Sequence, residues 1–130
     1  MCIRDSNGKQ YDVFSCIVST TGSTSTQHLC IAQLTTPTTL GKYGIISAPT
    51  LSWEQDGVPV NEGPEALYSG GRTFLTYSAS YCWTDGYKLG LLEYTGGDPL
   101  SISSWSKYAK PVFQSGRDNY GPGHNWYGSL

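Results

Sequence analysis

Along the chain, apolar and aromatic positions recur in short runs that alternate with polar ones, as in QYDVFS (10–15), HLCIAQLT (28–35), EALYS (65–69), TFLTYS (73–78) and KLGLLEYT (88–95). A period of two over so few residues predicts half-buried β-strands. Glycine pairs or Asn-Gly lie between several of the runs, as turns between antiparallel neighbours require. No stretch carries a sustained helical period.

The runs repeat as a set. NGKQYDVFS at 7–15 matches GGRTFLTYS at 70–78, a shift of 63 residues that places Gly8 on Gly71, Lys9 on Arg72, Tyr11 on Phe74, Phe14 on Tyr77 and Ser15 on Ser78. HLCIAQLT parallels KLGLLEYT, and Lys42-Tyr43 parallels Lys107-Tyr108. With EALYS counted ahead of the second glycine turn, each unit holds four antiparallel strands, the content of a β-propeller blade. A two-sheet sandwich supplies short strands but no reason for a four-strand unit to recur in order. The expected architecture is all-β, a partial propeller of two blades plus the start of a third.

The expected divisions are an incomplete blade at 7–60, a complete one at 61–115 and the start of the next at 116–130. MCIRDS (1–6) has no strand pattern and resembles adapter-derived leaders on assembled reads, so it is expected to be non-native and outside the fold. Propellers close with about four to eight blades, so two are expected to fold poorly alone.

Composition fits this picture: 16 Gly, 7 Pro, 10 Tyr and 4 Trp, with 14% charged residues, is a turn-rich, aromatic β composition. Eight basic against ten acidic residues, net charge -2 and unclustered, leave no footprint for nucleic acid or an anionic membrane. Nor does any apolar run approach the roughly 18 residues of a membrane span. A neutral ligand is the easier expectation. With Cys2 in the excluded leader, Cys16, Cys30 and Cys82 remain, an odd number without CxxC spacing; buried small hydrophobes are expected, although Cys16 and Cys30 fall on neighbouring strands where a bridge is conceivable.

Strand parity places the segments 19–27, 48–61, 79–87 and 115–125 at one end of the blades, with the Gly8 and Gly71 turns at the other. Glu62, at the head of an inner strand, then shares a mouth with His124, one blade on, and with Trp53 and Trp83 in the loops. Such a grouping is a pocket hypothesis. Asp56, Asp85 and Asp118 read as turn formers, and the odd spacing of Glu65 from Glu62 sends it to the opposite side of the strand.

NEGPEALYSGGRTFLTYSAS, WTDGYKLGLL, DPLSISSWSKYAKPVFQS and YGPGHN, in that order, resemble the middle-to-late part of glycoside hydrolase family 43, with the closest look to its α-L-arabinofuranosidase-like members; the likeness runs from about residue 7 to 126. It implies a five-bladed propeller that cleaves arabinose- or xylose-containing plant polysaccharides with inversion. On this resemblance Glu62 is the general acid, and His124 helps hold a calcium or other cation at the channel centre through one imidazole and several waters. Trp83, and less directly Trp53, would be sugar-facing walls. No organic cofactor is implied, and a secreted monomer is expected. Inversion also needs a base carboxylate roughly 6.5 to 9.5 Å from the acid. The family's base aspartate and the helper aspartate that tunes the acid belong to segments ahead of NGKQYDVFS, so the 130 residues alone are expected to be inactive. A non-catalytic carbohydrate-binding propeller is the alternative, and a protein-interaction scaffold a third reading.

Overall fold

The structure is a computed structural model, and it describes residues 2–4, 8–21 and 24–127. Two four-stranded antiparallel sheets follow one another along the chain. The first contains β1 (Cys2–Arg4), β2 (Gln10–Thr21), β3 (Thr24–Thr36) and β4 (Thr39–Ser47). The second contains β5 (Asn61–Ser69), β6 (Arg72–Ala79), β7 (Lys88–Tyr94) and β8 (Trp105–Lys107). Each sheet is a meander in sequence order, as a propeller blade demands.

The ladders carry the repeat. Tyr11 faces Gln33 and Ser15 faces Leu29 in the first sheet; Phe74 faces Glu93 and Ser78 faces Leu89 in the second. The 63-residue match of β2 to β6 and the 60-residue match of β3 to β7 therefore describe one hairpin built twice.

Three expectations about elements need correcting. Residues 1–6 do not all stand outside the fold: Cys2–Arg4 pairs with Gln10–Asp12, and Ile3 is buried in the core beside Tyr11. Residues 19–21 and 24–27, in the stretch expected as the polar loop between the second and third strands, are themselves strand, and they continue the β2–β3 ladder as far as the pair Thr21 and Thr24. Threonine suits a pleated backbone whether or not the strand is apolar. Finally, Tyr43, and not Lys42, is the register equivalent of Lys107: Ala32 pairs with Tyr43 as Leu92 pairs with Lys107. One residue of slip moves a side chain to the other face.

The core lies between the sheets. Tyr11, Val13, Leu29, Ile31 and Ile46 from the first meet Leu75, Tyr77, Ala79, Leu92 and Trp105 from the second. Between β4 and β5 the chain crosses the end of the molecule through a 3-10 turn, Ser52–Glu54. The expected top segments do gather there: Gln27 N–H donates to Pro59 O, Asp56 N–H donates to the Ser80 hydroxyl, and the Ser115 hydroxyl donates to Asp85 O.

Candidate active site

Glu62 is the second residue of β5 and lies opposite Ser78. The next pair in the ladder is Glu65 with Thr76, so three steps on β5 answer two on β6. Gly63 and Pro64 form the bulge, with Gly63 in the left-handed region at φ 52°. Proline lacks a donor for the ladder, so a bulge is one of the few interior positions it can take. The bulge also overturns the opposite-side expectation for Glu65. Since Ser78 and Thr76 are two apart on β6, Glu62 and Glu65 share a face.

That face is covered by residues 121–125. His124 N–H donates to the Ser78 hydroxyl at 2.6 Å, and Asn125 Nδ2 donates to the Thr76 hydroxyl at 3.1 Å. His124 itself adopts φ 52°, a conformation that histidine tolerates better than bulky or branched residues do. Glu62 and His124 are thus brought together over β6, as their repeat positions suggested.

A third residue joins them. Tyr87, the last residue of the 80–87 loop, donates its hydroxyl to Glu62 Oε1 at 2.7 Å and lies 3.4 Å from Nδ1 of His124. Burial pushes the Tyr87 phenol well above its ordinary range; a hydrogen bond with Ser78 opposes that and Glu62 adds to it, so the phenol stays a donor near neutral pH. Glu62 is half-buried and His124 is exposed.

Two glycines permit this approach. A Cβ on Gly123 would collide with Cε1 of Tyr87, and one on Gly63 would fall 3.1 Å from His124 Nδ1. The Gly-Pro-Gly before His124 therefore leaves room for an aromatic ring. Nothing in the alternation of WTDGY singles out Tyr87; the glycine at 123 was the available signal.

The two tryptophans part company. Trp53 stacks on Tyr77 with ring centroids 6.4 Å apart, and its indole N–H donates to Ala109 O at 2.9 Å. Its ring pins the 48–60 connection to the sheet interface, so the sugar-wall expectation for Trp53 is not carried further. Trp83 is 83% exposed in the same loop as Tyr87.

The cysteine expectation is corrected too. Cys16 and Cys30 form a disulfide between β2 and β3, with Cα atoms 5.9 Å apart, and Cys82 is a free, exposed thiol. The Cys30 position faces Phe14 while Cys16 faces His28, so the bridge runs diagonally across the ladder.

Calcium takes about 6 to 8 oxygen ligands. Among the described residues no group of three or more His, Cys, Asp or Glu side chains is arranged to hold a metal ion, and His124 contributes one nitrogen.

Sequence comparison matches residues 1–127 to the family described as Glycosyl hydrolases family 43. The chain is 48% identical over 102 residues to an extracellular exo-alpha-(1->5)-L-arabinofuranosidase of Streptomyces avermitilis, covering 75% of this chain and 21% of that protein. It is 44% identical over 104 residues to alpha-L-arabinofuranosidase 43 of Humicola insolens, covering 76% and 21%. Among solved structures, an alpha-L-arabinofuranosidase from Lactobacillus brevis superimposes with a TM-score of 0.85 at 36% identity, over 97% of this chain and 39% of that one. A thermostable family-43 glycoside hydrolase superimposes at 0.80 with 22% identity, over 97% and 42%, a likeness of fold alone. The chain therefore spans well under half the length of these proteins, and its two sheets are a partial propeller.

Proposed function

The chain belongs to glycosyl hydrolases family 43, and from that premise we propose that the whole protein is an inverting glycosidase, an α-L-arabinofuranosidase acting on arabinose- or xylose-containing plant polysaccharides. The observation that carries this reading is the setting of Glu62: a half-buried carboxylate at the head of an inner strand, held by one phenol and set beside an imidazole. Glu62 is the general acid. Its proton passes to the glycosidic oxygen as the bond from that oxygen to the anomeric carbon breaks, while water attacks the carbon from the opposite side.

Trp83 would offer an aromatic face to the C–H side of a sugar ring, in keeping with its exposure. The base carboxylate and the helper aspartate lie outside these residues in this reading. A calcium ion beside His124 belongs to the same proposal only as a water-rich site to which this chain adds one imidazole. The relative from Streptomyces avermitilis is named an extracellular enzyme, in line with secretion of the whole protein.

The test is Glu62→Gln in the full-length protein. Hydrolysis of an oligosaccharide with a poor leaving group is expected to fall by about two or more orders of magnitude. The 130-residue chain alone, as the control, is expected to hydrolyse nothing. Unchanged hydrolysis by Glu62→Gln would overturn the acid assignment, and a full-length parent that binds the oligosaccharide without hydrolysing it would return the alternative, a propeller that binds carbohydrate without cleaving it.

A further inference from the structure

Glu62 has two carboxyl oxygens, and an acid that must deliver a proton to one point in space needs them distinguished. Oε1 accepts the Tyr87 hydroxyl at 2.7 Å. The Tyr87 ring is itself fixed: Gly123 lies so close that a Cβ there would collide with Cε1, and the hydroxyl stands 3.4 Å from His124 Nδ1. His124 is anchored in turn by its N–H on the Ser78 hydroxyl, directly across the ladder from Glu62.

We infer that Tyr87 is the positioning residue of the general acid, holding Oε1 so that Oε2 carries the transferable proton. The inference rests on the reading of Glu62 given above. During the reaction the proton on Oε2 moves to the departing glycosidic oxygen, the bond from that oxygen to the anomeric carbon breaks, and water forms the new bond, losing its proton to the base carboxylate. Glu62 is left as a carboxylate. The Tyr87 donor then faces a full negative charge on Oε1, and hydrogen bonds to charged acceptors are roughly twice as strong as neutral ones. Tyr87 thus contributes more once the proton has left than before.

The test uses two arabinofuranosides on the full-length enzyme: an oligosaccharide, whose leaving group needs a proton, and a dinitrophenyl glycoside, whose leaving group does not. Tyr87→Phe is expected to lower kcat on the oligosaccharide by about tenfold to a hundredfold, with KM and kcat on the dinitrophenyl substrate unchanged. Equal losses on both substrates, or a change in KM alone, would mark a merely structural tyrosine and overturn the inference. If Tyr87→Phe does not fold, a fluorotyrosine at 87, which keeps the ring's size and alters donor strength, is read on the same pair. A rate change confined to the oligosaccharide supports the inference, and none on either overturns it. Glu62→Gln measured alongside separates the two ideas. Full oligosaccharide activity in that variant sinks the acid assignment and this inference with it. Loss in Glu62→Gln with none in Tyr87→Phe sinks the Tyr87 role alone.

Discussion

Glu54 is fully buried, 0% exposed, at the end of the short turn that links the sheets. A carboxylate in that position is costly unless its oxygens are met. Here Oε1 accepts from Tyr77, Asn61 and Lys107 at 2.8 to 2.9 Å, and Oε2 accepts from Leu51 N–H at 2.8 Å and Lys107 at 3.0 Å. Lys107 reaches on to Ala48 O at 2.6 Å, and its ammonium stands over the Tyr77 ring. Burial lowers the Lys107 pKa and Glu54 opposes that, while burial ahead of Glu54 holds the Tyr77 phenol far above its ordinary value. Asn61, which closes the cluster by accepting from Ser47 at 2.6 Å, is the residue just before Glu62. The cluster therefore fixes the head of β5 and, through it, the acid. Lys107→Met leaves the Glu54 charge with only neutral donors, and urea unfolding should show a loss of about 3 kcal/mol. Adding Glu54→Gln should recover part of that loss, since the uncompensated charge is then gone; a strictly additive double variant would refute the coupling.

At the scale of strands, the Cys16–Cys30 bridge closes a separation of 14 residues. A loop of that length loses enough unfolded-chain entropy to stabilise the fold by about 3 kcal/mol. The Cys16→Ser, Cys30→Ser pair is expected to lower unfolding stability by about 2 to 3 kcal/mol, and alkylation mapping of the native chain should find Cys82 reactive and Cys16 and Cys30 not. Neither the bridge nor the shared face of Glu62 and Glu65 was legible from spacing. Disulfide geometry depends on where Cβ atoms fall across a ladder, and the Gly63–Pro64 bulge turns an odd spacing into an even relation. What alternation and glycine turns did fix was the hairpin. Tyr11 and Phe74 occupy the same rung, because a period of two, once anchored by a turn, admits little freedom of register. The site was half legible for the same reason: Glu62 and His124 follow from repeat position, whereas Tyr87 comes from a loop, where no period constrains direction.

For the whole molecule, the repeat shows which sheet face no other sheet covers among the described residues. The second sheet packs on the first through Leu75, Tyr77, Ala79 and Leu92. Their rungs in the first sheet point to the opposite side, where Phe14 stands for Tyr77, Cys16 for Ala79 and Tyr43 for Lys107. That side carries a groove of about 430 Å³ lined by Phe14, Ile17, Val18, Leu40, Tyr43 and Ile45. Ile17 is 59% and Tyr43 71% exposed. Exposed apolar patches of this kind drive association. The face is equivalent to one that another sheet already fills, so the monomer expected of the whole protein is not expected of these 130 residues by themselves. Sedimentation at rising concentration should show the isolated chain associating at tens of micromolar, on the order of what a modest apolar contact supports. Ile17→Lys with Tyr43→Lys should shift it to a monomer, because a charge buried in such a contact would go unpaired. The circular dichroism of the variant should match the parent, since neither side chain enters the core between the sheets. Association that persists in the doubly charged variant would place the contact on another surface and break the link between repeat position and exposed face.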